Sequence, residues 1–147
     1  MKRLTLILGA VLAASIGCAP TPAVQDSAPI PLDTGTWRLA ELGGVSAVSG
    51  EEGMEPAQIR FELDSARVSG SGGCNRIFGS LATDADSLRI GPLASTRMAC
   101  ADEAVTRQEM AFIEALENTR RYRISGDTLS LIGDNGTLAL LVPMTGR

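Results

Sequence analysis

The chain of 147 residues contains no histidine, and its only lysine, Lys2, stands at the extreme N-terminus. Without histidine there is no Ser-His-Asp or Cys-His nucleophile system and no imidazole ligand for a metal. Without a lysine in the body of the chain, Ser-Lys dyads and Schiff-base lysines are excluded as well. Aromatic residues are scarce, one Trp, one Tyr and three Phe, so Leu, Ile and Val have to supply most of the apolar burial. Basic charge is in deficit, with 13 Lys and Arg against 17 Asp and Glu. Such a chain is soluble and disfavours nucleic acid or an anionic lipid surface as a partner. A long apolar run is also missing: Leu4 to Gly17 falls short of the roughly 20 residues needed to cross a bilayer as a helix. No cofactor and no metal is expected.

What is present begins with a secretory signal over residues 1–17. Lys2 and Arg3 precede an apolar run from Leu4 to Leu12 and the small residues Ala13 to Gly17. Cys18 directly after Gly17 resembles the lipobox of bacterial lipoproteins, in which the thiol is joined to diacylglycerol and the preceding peptide is removed. Ser15 stands where that pattern usually has Leu. Ordinary cleavage near Ala19 is the alternative, and it would place Pro20 just after the cut. A lipid chain buries about 0.8 kcal/mol per methylene, so a lipidated Cys18 would hold the protein on a membrane. With Ala19 rather than Asp after it, the resemblance implies the outer membrane, facing the periplasm. Residues 18–35 carry Pro20, Pro22, Pro29 and Pro31 without hydrophobic periodicity. They read as a linker able to span roughly 50 Å at about 3.1 Å per residue.

Residues 36–147 are the size of one domain with one core. Alternation at Ile59, Phe61 and Leu63 predicts a half-buried strand, as it does at Leu88 and Ile90, Tyr122 and Ile124, Leu129 and Leu131, and Leu138, Leu140 and Val142. Gly126 and Asp127 predict a tight hairpin with glycine at positive φ, and Asp134 to Gly136 a second turn. One helix is predicted at about 102–118. Asp102 and Glu103 suit its N-terminal end, Arg120 and Arg121 its C-terminal end, and Val105, Phe112, Ile113 and Leu116 form one stripe. Glu109 falls on that stripe. A buried, unpaired carboxylate would cost several kcal/mol, so either Arg97 pairs with it or its head lies at the stripe's edge in water.

Gly70, Ser71, Gly72, Gly73, Cys74, Asn75 and Arg76 form a glycine-rich segment without the Lys-Ser/Thr of a phosphate loop. Between strand-like flanks it reads as a bend or close backbone approach in a curling sheet. The motif Gly73, Cys74, Asn75, then Thr96, Arg97, Met98, Ala99, Cys100, then Glu109, Phe112 and Leu116, resembles the META domain of HslJ-like heat-inducible envelope proteins. Trp37, Leu39 and Val68 to Gly70 extend the likeness over about Thr36 to Val142. The resemblance implies an α+β fold: a curled, mostly antiparallel sheet, shaped like a cracked barrel, with one α-helix. It also implies a link to heat or envelope stress, and no established catalytic residues.

Independently of the family, Cys74 and Cys100 make a poor zinc site without histidine, and exported thiols are normally oxidised. A Cys74–Cys100 disulfide is therefore expected, worth roughly 3 to 4 kcal/mol in the chain-entropy model. Asp64, Asp84, Asp86, Asp127 and Asp134 lie in turn-like contexts, where acids mainly serve backbone hydrogen bonding. The leading reading is a non-enzymatic envelope lipoprotein that binds an envelope protein or supports envelope integrity. Alternatives are a carrier of a small apolar ligand or lipid in a cavity of the curled sheet, or an inhibitor of a periplasmic hydrolase. The inhibitor would need a rigid loop, whereas Gly43 to Met54 reads as flexible.

Overall fold

The computed structural model describes residues 30–50 and 52–144; the expected signal peptide, Cys18 and the linker up to Pro29 lie outside the described residues. Ten strands and one helix follow in the order β1 (Thr36–Leu42), β2 (Val45–Ser46), β3 (Gln58–Glu62), β4 (Arg67–Ser71), β5 (Arg76–Asp84), β6 (Ser87–Ile90), β7 (Ala94–Ser95), α1 (Glu103–Glu117), β8 (Arg121–Ser125), β9 (Thr128–Gly133) and β10 (Gly136–Pro143). All pairings are antiparallel, in the spatial order β10-β9-β8-β6-β5-β4-β3-β1-β2, with β7 alongside β5. β1 also pairs with β10, from Trp37 opposite Pro143 to Leu42 opposite Ala139, and so turns the sheet into a ring. The ring is not a regular barrel. Its seam is β6–β8, where Ser87 opposite Arg121 is the one paired position. Two backbone bonds hold it, from Leu88 N–H to Arg120 O at 3.0 Å and from Tyr122 N–H to Asp86 O at 2.9 Å.

Inward residues of every ring strand meet in one core: Trp37, Leu39, Ile59, Phe61, Val68, Ile77, Leu81, Leu88, Ile90, Leu129, Leu131, Ala139 and Leu141, with Tyr122 and Ile124 packed against it. Helix α1 packs against β1, β6, β9 and β10 and adds Phe112 and Leu116 to the same core. Asp102 caps it, its carboxylate accepting from Ala104 N–H at 2.7 Å and Val105 N–H at 3.3 Å. This satisfies amides that the first turn leaves without an intrahelical partner. At the other end Arg120 donates to Glu117 O at 3.2 Å, while Arg121 is already an exposed strand residue. Gly126 turns the β8–β9 hairpin at φ +59°, as its position predicts.

The structure departs from the sequence expectation at several places. In β10 the buried residues are Ala139 and Leu141, and Leu138, Leu140 and Val142 are only partly buried. The run Leu138 to Val142 is apolar throughout, so alternation cannot choose a face, and register shifts between Thr137 and Ala139 and between Leu39 and Glu41 set it instead. The glycine-rich segment does not bend a strand: Gly72 to Asn75 is the loop of the β4–β5 hairpin, closed by Gly72 N–H to Asn75 O at 2.8 Å. Close approach does occur two residues earlier, within β4, where a Cβ on Gly70 would run into the Gln58 carbonyl. At the N-terminal side, Leu32 is buried and its carbonyl accepts the Trp37 indole N–H at 2.8 Å, so packing begins before residue 36. The loop after β2 is held by α1, since Gln108 accepts from Val48 N–H at 2.6 Å and donates to Val48 O at 3.2 Å.

Candidate functional site

The two motifs singled out by the sequence meet at one buried cluster beside the N-terminal half of α1. The β4–β5 loop supplies its floor. Ser71 Oγ accepts Gly73 N–H at 3.0 Å and donates to Glu55 O at 3.1 Å, which lets Gly73 adopt φ +111° without leaving its amide unpaired. Gly72 makes the room: a Cβ there would lie 2.3 Å from Glu109 Cγ and 2.4 Å from Oε2.

Glu109, on the buried stripe of α1, is 7% exposed. Asn75 is its partner. The Asn75 backbone N–H donates to Oε2 and the Asn75 Nδ2 to Oε1, both at 2.7 Å. The other side of the Asn75 amide holds the second motif, because Oδ1 accepts from Thr96 Oγ1 at 2.9 Å and from Met98 N–H. Thr96 Oγ1 in turn accepts Arg76 N–H at 3.2 Å. Cys74 and Cys100 form a disulfide, with sulfurs 2.01 Å and Cα atoms 6.1 Å apart, and Asn75 Nδ2 lies 3.4 Å from the Cys100 sulfur. One asparagine thus ties the hairpin loop, the segment before the helix and the helix itself.

The expectation that Arg97 pairs with Glu109 is corrected. Arg97 is exposed, has φ +55°, and forms no ion pair among the described residues. The carboxylate answers to two N–H donors of Asn75, which neutral groups supply without desolvating a second charge. Met98 and Ala99 are exposed as well, so of the second motif only Thr96 and Cys100 turn their side chains to the hub. The Asn75–Glu109 link spans 34 positions, and its one legible sign was a carboxylate on an apolar stripe that required a partner.

Chemically the hub is closed. Both Glu109 oxygens, the Asn75 amide and the two sulfurs are engaged with one another, an arrangement suited to fixing three chain segments. Among the described residues no cluster of three or more Cys, Asp or Glu side chains has metal-binding geometry, and none of their helices is long and apolar enough to cross a membrane. The turn carboxylates stay dispersed, with Asp134 Oδ2 3.7 Å from Arg120 Nε and Asp127 accepting from the Thr128 hydroxyl at 3.4 Å.

The META domain family model matches residues 30–144. Among solved structures, the NMR structure of a protein from Burkholderia xenovorans is 25% identical at a TM-score of 0.61, over 88% of this chain and all 100% of its own. A second NMR structure is 25% identical at a TM-score of 0.59, over 76% of this chain and 91% of the other. The crystal structure of a DUF4847 family protein from Bacteroides vulgatus, 18% identical at a TM-score of 0.51 over 79% of this chain and 96% of the other, shares the fold. A search of curated proteins finds no match.

Proposed function

Because the chain belongs to the META domain family, we propose that it is a non-enzymatic lipoprotein of the bacterial envelope, anchored through Cys18, that binds another envelope protein and supports envelope integrity under stress. The observation that carries this reading is the closed hub. In the family motif the two cysteines, Glu109 and Asn75 are engaged in holding segments together, and Arg97 and Met98 are presented outward from those tied segments. A rigid, disulfide-tied surface suits recognition, since little ordering is lost on binding. The carrier alternative needs an interior cavity. The interior is instead filled by Trp37, Phe61 and Phe112, and the apolar groove of about 350 Å³ between α1 and β10, lined by Leu42, Ala111, Ala115 and Leu138, lies at the surface. The inhibitor alternative gains from the clamp of Val48 by Gln108, yet Val45 of β2 and Met54 on the loop remain exposed.

The test is crosslinking of the intact protein in its own envelope followed by identification of what is captured. One dominant protein is the expected outcome, and capture of lipid alone would replace this reading by the carrier. Incorporation of labelled palmitate, lost in Cys18→Ser, is expected for the anchor; unchanged labelling in that variant would remove it.

A further inference from the structure

β5 alternates from Arg76 to Leu81, with Ile77 and Leu81 buried and Arg76, Phe78 and Ser80 exposed. Phe78 is therefore an aromatic ring on the outer face of the sheet, 46% exposed, flanked in its row only by Ser69 of β4 and Ala94 of β7. Three arginines surround it on the same face, and a fourth lies in the loop beside its edge. Arg76 precedes it by two residues on β5. Arg67 is opposite Ser80, a diagonal neighbour of Phe78 at roughly 8 Å. Arg60 is opposite Ser69, two strands away at about 10 Å. Arg97 follows Thr96, whose N–H donates to Arg76 O at 3.2 Å. Among the described residues the ion pairs are Arg107–Glu103 and Arg120–Asp134, so these four guanidinium groups have no acidic partner. Glu62, opposite Arg67, has its carboxylate held by the Ser65 hydroxyl at 3.1 Å. Met98, also 46% exposed, follows Arg97 in the chain, its N–H fixed to Asn75 Oδ1.

We propose that this face, centred on Phe78 and framed by Arg60, Arg67, Arg76, Arg97 and Met98, docks an acidic protein segment carrying an apolar side chain. The proposal rests on the protein-binding reading above and names the partner's chemistry. Charge complementarity supports it: in a chain of net charge −4, Arg60, Arg67 and Arg76 share one face with Arg97 beside it, and the one carboxylate at their paired positions, Glu62 opposite Arg67, forms no ion pair among the described residues. Arginine matches carboxylates in bidentate geometry, and arginine with aromatic residues dominates the energetics of protein interfaces. The disulfide and the Asn75 hub hold Arg97 at φ +55° before any partner arrives, so the face is pre-organised. Phe78, the apolar centre of the face, is held mid-strand on β5 rather than at a loop tip free to insert among lipid headgroups, which favours a protein over a membrane.

The experiment presents a phage-displayed library of random peptides to the full chain purified in detergent. Selected peptides are expected to be rich in Asp and Glu around an apolar residue. Their binding should fall roughly tenfold or more in Phe78→Ser and in Arg76→Glu with Arg97→Glu, and hold in Ser125→Glu on β8. It should also weaken as salt rises from about 0.05 to about 0.5 M. Selected peptides without acidic enrichment, or binding indifferent to these substitutions, would overturn the proposal. So would sedimentation with phosphatidylglycerol vesicles that the same variants abolish while no peptide binds. Envelope crosslinking of Phe78→Ser separates the two levels. Undiminished capture of the same protein would refute this surface and leave the protein-binding reading standing, whereas no capture even by the unaltered chain would refute that reading itself.

Discussion

At the scale of single residues, the decisive contact is between a missing side chain and a present one. Glu109 can be buried because Gly72 leaves space for its carboxylate and Asn75 supplies two N–H donors at 2.7 Å. Gly72→Ala would put a methyl 2.4 Å from Oε2, and the carboxylate cannot step aside without giving up a hydrogen bond. The expected cost is about 2 to 3 kcal/mol, from overpacking together with a strained or unmade buried bond. Urea denaturation measures it, and a double-mutant cycle identifies the cause: in a Glu109→Ala background the same substitution should cost at least 1 kcal/mol less, by about the coupling typical of contacting residues. Strict additivity would show that Gly72 is needed for its backbone and not for its space. Arg97 shows what the sequence withholds at this scale. It stood close in the chain and carried the right sign, yet a neutral asparagine took the role, because burying one charge against N–H dipoles avoids desolvating two.

At the scale of elements, legibility followed the strength of the local pattern. Helix α1 is capped by Asp102 and ends at Glu117, within one residue of its prediction at each end, since cap, stripe and end charges agree. β3, β6, β8 and β9 carry clean alternation and fall where it places them. β10 was found with the wrong face inward, because Leu138 to Val142 offers no polar residue to break the tie and the bulges that set its register depend on β1 and β9. The Gly72–Asn75 loop was legible as irregular backbone, but the choice between a bend and a hairpin end depends on pairing with β4. The disulfide joins two such elements, the β4–β5 loop and the segment leading into α1. Its replacement, Cys74→Ser with Cys100→Ser, is expected to lower stability by roughly 3 to 4 kcal/mol. Thermal unfolding with and without reductant checks this: the unaltered chain should melt on the order of 10 °C lower when reduced, and the variant should be indifferent to reductant. A reduced chain that melts unchanged would place the stability of this corner in the Asn75 hub alone.

At the scale of the whole molecule, ring closure is unequal around its circumference. β3 is paired along both edges, with β1 and with β4, whereas β6 and β8 share one paired position and two backbone hydrogen bonds. Beside that seam a groove of about 410 Å³ is lined by Ile30, Pro31, Leu32, Asp86, Tyr122 and Ile124, and Leu32, buried there, is the residue by which the N-terminal segment covers it. Local opening follows the regions with fewest backbone bonds and least apolar cover. The amides of Leu88 and Tyr122 are therefore expected to exchange with solvent roughly tenfold or more faster than those of Ile59 and Phe61 under native conditions, as read by NMR-detected hydrogen exchange. Leu32→Ala should widen the gap, because it strips apolar cover from the seam while leaving the β3 pairings untouched; its global cost would be about 2 to 3 kcal/mol. If Leu88 and Tyr122 exchanged only as fast as β3, with or without Leu32, the seam would open only when the whole ring unfolds. A selective acceleration would instead show that a chain entering the domain at Ile30 stabilises the weakest joint of the ring, so that any pull transmitted from an N-terminal anchor would act first on that joint.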